Sequence, residues 1–439
     1  MRGDCQYERP LAELERPPPA RPAGDEQERS ERMRRSVFGT IILLASLPGG
    51  EACLAGRLSR PSAAEGAGSE YTVLLARFPA DLHGGGIDPY GFSSGLEEQP
   101  MTAALALSAE ALHERAFPNP ASRDYVRTAA LWLLEYADAD GDGRPGWGLP
   151  DPWDAFGDGS VNPAHQPYTI TTALVLNAIL DALRCPSLWT EEEKARMDRV
   201  LSDVALRWCR GAWTDTESGG FFWYSPNPAD AYFVPNVSSM FLGSLARLLS
   251  EQRSALEKAK AVLFEEKTGK AAREIIAKMQ RREGAPFWSY IVWPSDSGRP
   301  ETPNDLVHQA YTLWGMEIYR SSPGGSRLPW SRRQSLASLE AYREDSRIYN
   351  YPRFLPSGSD FQAMRSEPAV LWGAGMMLAF YARWGSRAQA ESCWRYIREE
   401  LGPPPELRLW PKSYKDDPQS YPRHAAHVLW ALAIRDFYR

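Results

Sequence analysis

The chain has 439 residues, 43% hydrophobic and 24% charged, with a formal net charge of −6. That is globular composition, and the length suits one large domain or two or three small ones. A modest negative charge with no basic cluster argues against a nucleic-acid partner.

Residues 1–32, rich in Arg, Glu and Pro, have the composition of a disordered leader. "MRRSVFGTIILLASLPGGEACLAG" follows, with Arg34 and Arg35 at its start, an apolar run over 37–47, and Ala52 and Ala55 near a cleavage point. This is the pattern of a secretory signal peptide, with Met33 as a candidate true start. The run is short for a membrane span. An uncleaved anchor is the rival, and Gly50, Glu51 and Ala52 fit poorly before a lipidated Cys53. The expectation is an exported protein, periplasmic or extracellular, with no other membrane segment. Residues 1–55 are read as leader plus signal, 56–95 as a linker or amino-terminal extension, and 96–439 as the folded domain. Beyond the leader, Cys185, Cys209 and Cys393 show no metal-binding spacing and read as buried free thiols.

From residue 100 onward, helices of two kinds alternate. "MTAALALSAEALHERA", "YTITTALVLNAILDAL", "PNVSSMFLGSLARLL", "PNDLVHQAYTLWGMEIY", "EPAVLWGAGMMLAFYA" and "RHAAHVLWALAIRDFY" are apolar almost all round, so each is expected to be buried on most sides. Between them lie charged, amphipathic segments at 124–137, 191–208, 251–281, 331–343 and 388–400. Alternation of this kind implies a closed ring of helical hairpins, with apolar helices inside and charged helices facing water. Six inner helices are met by five outer ones. The missing one is sought before residue 100, in "YTVLLARF", which reads equally as a strand. The expected fold is all-α, an (α/α)6 toroid.

In such a ring the outer-to-inner links all emerge on one face. Here they are long: "YADADGDGRPGWGLPDPWDAFGDGSVNPAHQPY", "WTDTESGGFFWYSPNPADAYF", "FWSYIVWPSDSGRPET", "IYNYPRFLPSGSDFQAMRS" and "LWPKSYKDDPQSY". Each mixes aromatics with acids, amides or Arg, which suits a sugar: C–H faces pack on rings and hydroxyls bond the polar groups. Trp147, Trp153, Tyr168, Trp223, Tyr224, Trp293, Arg299 and Trp372 are the candidate substrate-binding residues.

Over roughly residues 95–439 the chain resembles the six-hairpin, α/α-toroid carbohydrate-active enzymes, which include glycoside hydrolases, polysaccharide lyases and sugar epimerases. The lanthionine cyclases share the toroid but hold zinc with a Cys/His set that is missing from this sequence. The resemblance implies an enzyme that cleaves a polysaccharide or oligosaccharide. Alternatives are a sugar epimerase and a non-catalytic glycan-binding subunit of a surface-polysaccharide system.

In toroid lyases an Asn or Arg neutralises the uronate carboxylate, and a Tyr or His removes the adjacent proton. "NDLVHQAY" and its surroundings offer Asn304, His308, Tyr290 and Arg299 for those roles. Asn304 or Asp305 is expected to cap the helix, with Asn304 and His308 on one face. A hydrolase needs two facing carboxylates, for which the candidates are Asp154, Asp158, Glu217, Asp230, Asp305, Asp360 and Glu367. Asp305 and Glu367 lead, since each opens an inner helix. The catalytic candidates are therefore Asp305, His308, Asn304, Tyr290 and Glu367.

Asp138, Asp140 and Asp142, followed by Gly143, form the first half of a calcium loop. The Glu of the twelfth position is replaced by Leu149. Calcium and an acidic helix-ending turn are both open readings. His424 and His427 share a helix face as a candidate metal pair, and Asn236, in an NVS sequon, reads as a helix cap.

Overall fold

The apolar segments fold as an inner ring of helices, and the charged ones pack outside it. The computed structural model describes residues 69–83, 98–252, 255–293, 303–322, 325, 328–355, 359–416 and 421–438. The leader and signal, with Met33, Cys5 and Cys53, and also Arg299, lie outside the described residues. Among the described residues no helix is long and apolar enough to cross a membrane.

The helices are α1 (Glu70–Leu75), α2 (Pro100–Ala116), α3 (Pro120–Glu135), α4 (Thr169–Leu183), α5 (Glu191–Gly211), α6 (Pro235–Glu251), α7 (Lys258–Ala277), α8 (Leu306–Ser321), α9 (Arg332–Glu340), α10 (Ser359–Ser366), α11 (Leu371–Trp384), α12 (Arg387–Tyr396) and α13 (Pro422–Phe437). The inner wall runs α2, α4, α6, α8, α11, α13 and back to α2. Short links turn each chain back along the outside as α3, α5, α7, α9 and α12. The sixth outer position belongs to α1, so "YTVLLARF" opens as a helix and not a strand. It packs on α13. Glu70 fastens this seam: it accepts from Trp394 Nε1 at 2.8 Å and pairs with Arg398 at 3.2 Å and Arg435 at 3.6 Å.

The two helix sets begin differently, and the sequence shows why. Outer helices α5, α9 and α12 open with capping boxes, Thr190/Glu193, Ser331/Gln334 and Ser386/Gln389. Inner helices α2, α4, α6, α11 and α13 open with no side-chain cap. Asp305 caps α8 alone among the inner set. Asn236 is therefore not the cap of α6; Val234 holds that position and Pro235 the first turn, with Asn236 buried behind it.

Three small antiparallel hairpins decorate the ring: β1 (Trp213–Asp215) with β2 (Gly220–Phe222), β3 (Gln280–Arg282) with β4 (Ala285–Phe287), and β5 (Arg343–Glu344) with β6 (Arg347–Ile348). Each sits in an outer-to-inner link, where turn residues such as "SGG" interrupt the helix pattern. Cys185, Cys209 and Cys393 are buried free thiols, as expected.

Inner helices α6 and α8 touch backbone to backbone. A Cβ on Gly315 falls 2.0 Å from the Ser239 carbonyl oxygen, and one on Gly243 lies 3.0 Å from Gly315 Cα. Alanine gains about 1 kcal/mol of helix propensity over glycine, but forcing these backbones apart costs about 3 kcal/mol. Gly315→Ala is predicted to lower the unfolding free energy by about 2 kcal/mol in a denaturant titration. An unchanged midpoint contradicts the close approach.

Candidate active site

Each short inner-to-outer turn reverses the chain, so all inner helices run parallel and all their amino termini meet at one mouth. Depth along the ring confirms it: Tyr311 OH hydrogen-bonds His427 Nε2 across the lumen, each on the sixth residue of its helix.

Toward the mouth from that plug lies a group of chemistry-bearing residues. Asp305 Oδ1 accepts the backbone N–H of His308 at 3.0 Å and the ring nitrogen Nδ1 at 2.6 Å. A carboxylate oxygen accepts, so Nδ1 carries a proton, and in the neutral imidazole the lone pair is on Nε2. Both side chains are about one-fifth exposed, Asp305 20% and His308 19%. Aromatic rings box the imidazole: Tyr290 at 4.6 Å and Trp372 at 5.9 Å between centroids, both edge-on. Trp372 carries the Arg423 guanidinium over its face at 5.1 Å and lies 4.7 Å from the His424 ring.

Glu367 completes the group. Asn350 Nδ2 donates to its Oε1 at 2.7 Å. Burial, and then the charge of Asp305, push the Glu367 carboxyl above its ordinary range, while the Asn350 bond pulls the other way. Tyr351 feels both Asp305 and Glu367, and burial holds its phenol protonated. Asp305, Glu367, Tyr290 and Tyr351 therefore share one electrostatic neighbourhood.

The remaining sequence candidates divide by what they touch. Asn304 is buried and turned sideways. Its Nδ2 donates to Gln309 Oε1 at 3.1 Å, so it does not share the His308 face. Tyr224 and Trp293 stand in a second apolar cluster with Phe156, Tyr232 and Tyr290, and Tyr290 connects that cluster to His308. Tyr168 is buried beside Tyr224. Trp153 lies half-buried in the long acidic link, its backbone paired with Asn162. Trp223 donates to Thr214 Oγ1 at 2.7 Å, toward the β1–β2 hairpin. Trp147 is a correction: it is fully buried and its Nε1 donates to Leu133 O at 2.8 Å, so it offers no face to a ligand.

Most of the acids in the links serve the fold. Asp154 accepts the backbone N–H groups of Phe156, Asp158 and Gly159. Asp158 accepts from Ser160. Asp230 is fully buried against Asn162 and Ser225, both at 2.6 Å, with its carboxyl pushed up by burial. Glu217 is exposed, and the Asp360 side chain lies outside the described residues. His427 spends both ring nitrogens, on Tyr311 OH and on Arg423 O, which removes it as half of a metal pair.

Asp138, Asp140 and Asp142 do gather, with ligand oxygens within 4.8 Å of one another. Burial and then the charge of Asp142 raise the Asp140 carboxyl to about 6. Arg207 pairs with Asp142 at 2.8 Å.

No protein-family model matches the sequence, and no curated protein aligns with it significantly. Solved structures do match. An unsaturated glucuronyl hydrolase from a Bacillus species, responsible for glycosaminoglycan degradation, superposes with a TM-score of 0.53 at 10% identity over 83% of this chain and 94% of that one. An α-1,6-mannanase from a Salegentibacter species gives 0.51 at 7% over 84% and 99%. A cellobiose 2-epimerase from Bacillus thermoamylovorans gives 0.52 at 11% over 83% and 98%. The chain thus has the six-hairpin α/α toroid of these carbohydrate-active enzymes, and at such identities the likeness is one of fold.

The Asp305–His308 contact predicts a double loss. Asp305→Ala removes the only side-chain cap on an inner helix, lowering stability by about 1 kcal/mol. It also frees the imidazole, so nitrogen NMR is expected to change from one tautomer, protonated at Nδ1, to a mixture. A single unchanged tautomer contradicts the assignment.

Proposed function

We propose that this chain is an enzyme that draws a carbon-bound proton from a sugar unit of an oligosaccharide or polysaccharide. His308 is the base and Glu367 the acid. One observation carries the reading: Asp305 Oδ1 accepts both the backbone N–H and the ring Nδ1 of His308, which orients the imidazole as a base.

The steps follow from the groups. His308 Nε2 takes the proton from the carbon beside a carboxylate or carbonyl, and the C–H electron pair becomes part of a carbon–carbon double bond. At a uronate, the neighbouring C–O bond then breaks and Glu367 gives its proton to the departing oxygen, which is elimination. With a carbonyl instead, a proton returns to the opposite face, which is epimerisation. The positive ends of the parallel inner helices favour the negative charge that develops at the mouth, and Arg423 adds a full charge beside Trp372. Tyr290, Trp293 and Trp372 supply faces for the sugar ring.

Hydrolysis is the second reading. A carboxyl with a raised pKa next to an ionised carboxylate is the pair a glycosidase uses, and Glu367 and Asp305 fit that description electrostatically. Reducing ends and the ultraviolet absorbance of an unsaturated uronate, followed together on a panel of neutral and uronate polysaccharides, separate the two. His308→Gln is expected to lower kcat at least ~100-fold, as loss of a general base does. Retained turnover in that variant with loss in Glu367→Gln selects hydrolysis. Binding without any turnover selects a glycan-binding protein.

The pH profile has a definite sign. Glu367 acts when protonated, so kcat is held below its raised pKa and falls as pH climbs through it. Asn350→Leu removes the bond that favours the ionised form, so this basic limb is predicted to move to higher pH. A limb that stays in place rules out Glu367 as the acid.

For Asp138, Asp140 and Asp142 the reading is a calcium site, supported by their convergence. Without calcium, the Asp140 carboxyl is raised to about 6 from 3.8, so the folded state holds its proton and stability falls as pH rises from about 4 to 6. At neutral pH in chelator, Asp140→Asn is therefore predicted to be more stable than the wild type, by ~1–2 °C in Tm after allowing for partial exposure. Added calcium raises Tm in the wild type and not in the variant. Equal Tm values with and without calcium leave the cluster a helix-ending turn.

A further inference from the structure

Away from the mouth, the bore of the ring holds polar groups that the catalytic reading does not use. Below the Tyr311–His427 plug, a cavity of about 530 Å³, its open end included, lies along the inner helices. Trp314 of α8 and Trp430 of α13, each the ninth residue of its helix, line it with ring centroids 4.7 Å apart. Arg383, in the last turn of α11, stands over Trp314 at 5.2 Å and over Tyr438 at 5.5 Å. Asn177, Asp181 and Arg247 also line it, and the exposed Arg184 and Tyr438 lie at its rim.

This lining combines free donors with spent acceptors. Among the described residues Arg383 makes no ion pair or hydrogen bond, and the indole N–H groups of Trp314 and Trp430 have no acceptor. None of the three belongs to the buried polar atoms shut away from solvent, so the cavity reaches them. Asp181, by contrast, accepts from Arg247 at 2.8 Å and from Ser108 at 3.0 Å, and Asn177 Oδ1 accepts from Arg247 at 3.0 Å. Glu251 pairs with Arg184 at 2.8 Å and with Arg247 at 2.9 Å. Three guanidinium groups thus meet two carboxylates, and the charge left over is on Arg383. Burial pulls that guanidinium below its ordinary range, with Tyr438 opposing the pull and Arg247 adding to it. The negative carboxyl ends of the inner helices answer part of this charge, but that effect fades within the last turn and does not reach the two indoles, each in mid-helix. A water neutralises no charge, and its own protons need acceptors that are already engaged.

We infer that the base of the bore is a binding site for a monovalent anion of halide size, held by the Arg383 guanidinium and the indole N–H groups of Trp314 and Trp430. Guanidinium and indole groups only donate, so the ligand is one that only accepts. One positive charge is left over, so the ligand carries one negative charge. Most of the cavity is crevice and open side; its free core admits atoms of about water size and is too narrow for a sugar ring. The bound ion ties together α8, α11 and α13, which are neighbours in the inner ring. The site is independent of the catalytic reading, because the Tyr311–His427 pair stands between it and the mouth.

Chloride and bromide are the probes, and gluconate, too large for the core, is the blank at equal ionic strength. The Tm of the full chain is expected to rise with chloride and level off as the logarithm of its concentration, as a ligand of the folded state requires, and not to rise with gluconate. Crystals grown in bromide are expected to show its anomalous signal between Arg383, Trp314 and Trp430. Arg383→Leu removes the charge, and Trp430→Phe keeps a ring and removes one N–H. Each is expected to weaken chloride binding at least about tenfold, and if Arg383→Leu fails to fold, Trp430→Phe decides alone. Three results overturn the inference: the same Tm in chloride and gluconate, a chloride response unchanged in Trp430→Phe, or bromide found on the surface and not in the cavity, an adventitious ion only. His308→Gln separates this from the catalytic reading. That variant is expected to lose turnover and keep the chloride response, so either claim can fail while the other stands.

Discussion

Parallel packing of the inner helices is the constraint from which the rest follows. Because every inner helix runs the same way, every amino terminus opens at one end of the ring, and every long link arrives there too. Positive dipole ends, aromatic rings and acids are collected at that mouth by topology alone. Small residues make the packing close: Gly243 and Gly315 bring α6 and α8 to backbone contact. Helix α1 completes the circle through Glu70, which ties α12 and α13 together.

Against that background the Asp305–His308 contact stands out. Five inner helices begin without a side-chain cap, leaving amide donors directed at the mouth. The sixth spends an aspartate on its first turn, and the same oxygen fixes an imidazole. One side chain thus serves stability and chemistry together. Glu367, raised by burial and by the charge of Asp305, supplies the complementary proton.

Much of this was legible in the sequence. All-round apolarity of six helices and the charged segments between them define the ring, and "NDLVHQAY" contains the dyad itself. What sequence could not supply was direction. Asn304 and His308 are four apart, yet the chain enters α8 through Asp305, so Asn304 turns to Gln309. Trp147 reads as a surface aromatic in an acidic link, but its indole folds back to Leu133. Asp154, Asp158 and Asp230 look like catalytic acids and instead hold turns, because Asp bonds nearby backbone or loop amides as readily as it does chemistry. Glu367 reads as the opening residue of an inner helix, but α11 starts at Leu371 and Glu367 stays in the link before it, facing Asn350 of "IYNYPRF", whose amide between two tyrosines is the available signal.

The most direct measurement is mass spectrometry of oligosaccharides incubated with the full chain in heavy water. Proton abstraction at His308 predicts either a deuterium on carbon in an uncleaved sugar or an unsaturated fragment that has lost its carbon-bound hydrogen, and both vanish in His308→Gln. Cleaved fragments that retain every carbon-bound hydrogen and have gained the elements of heavy water would contradict it and make the protein a hydrolase.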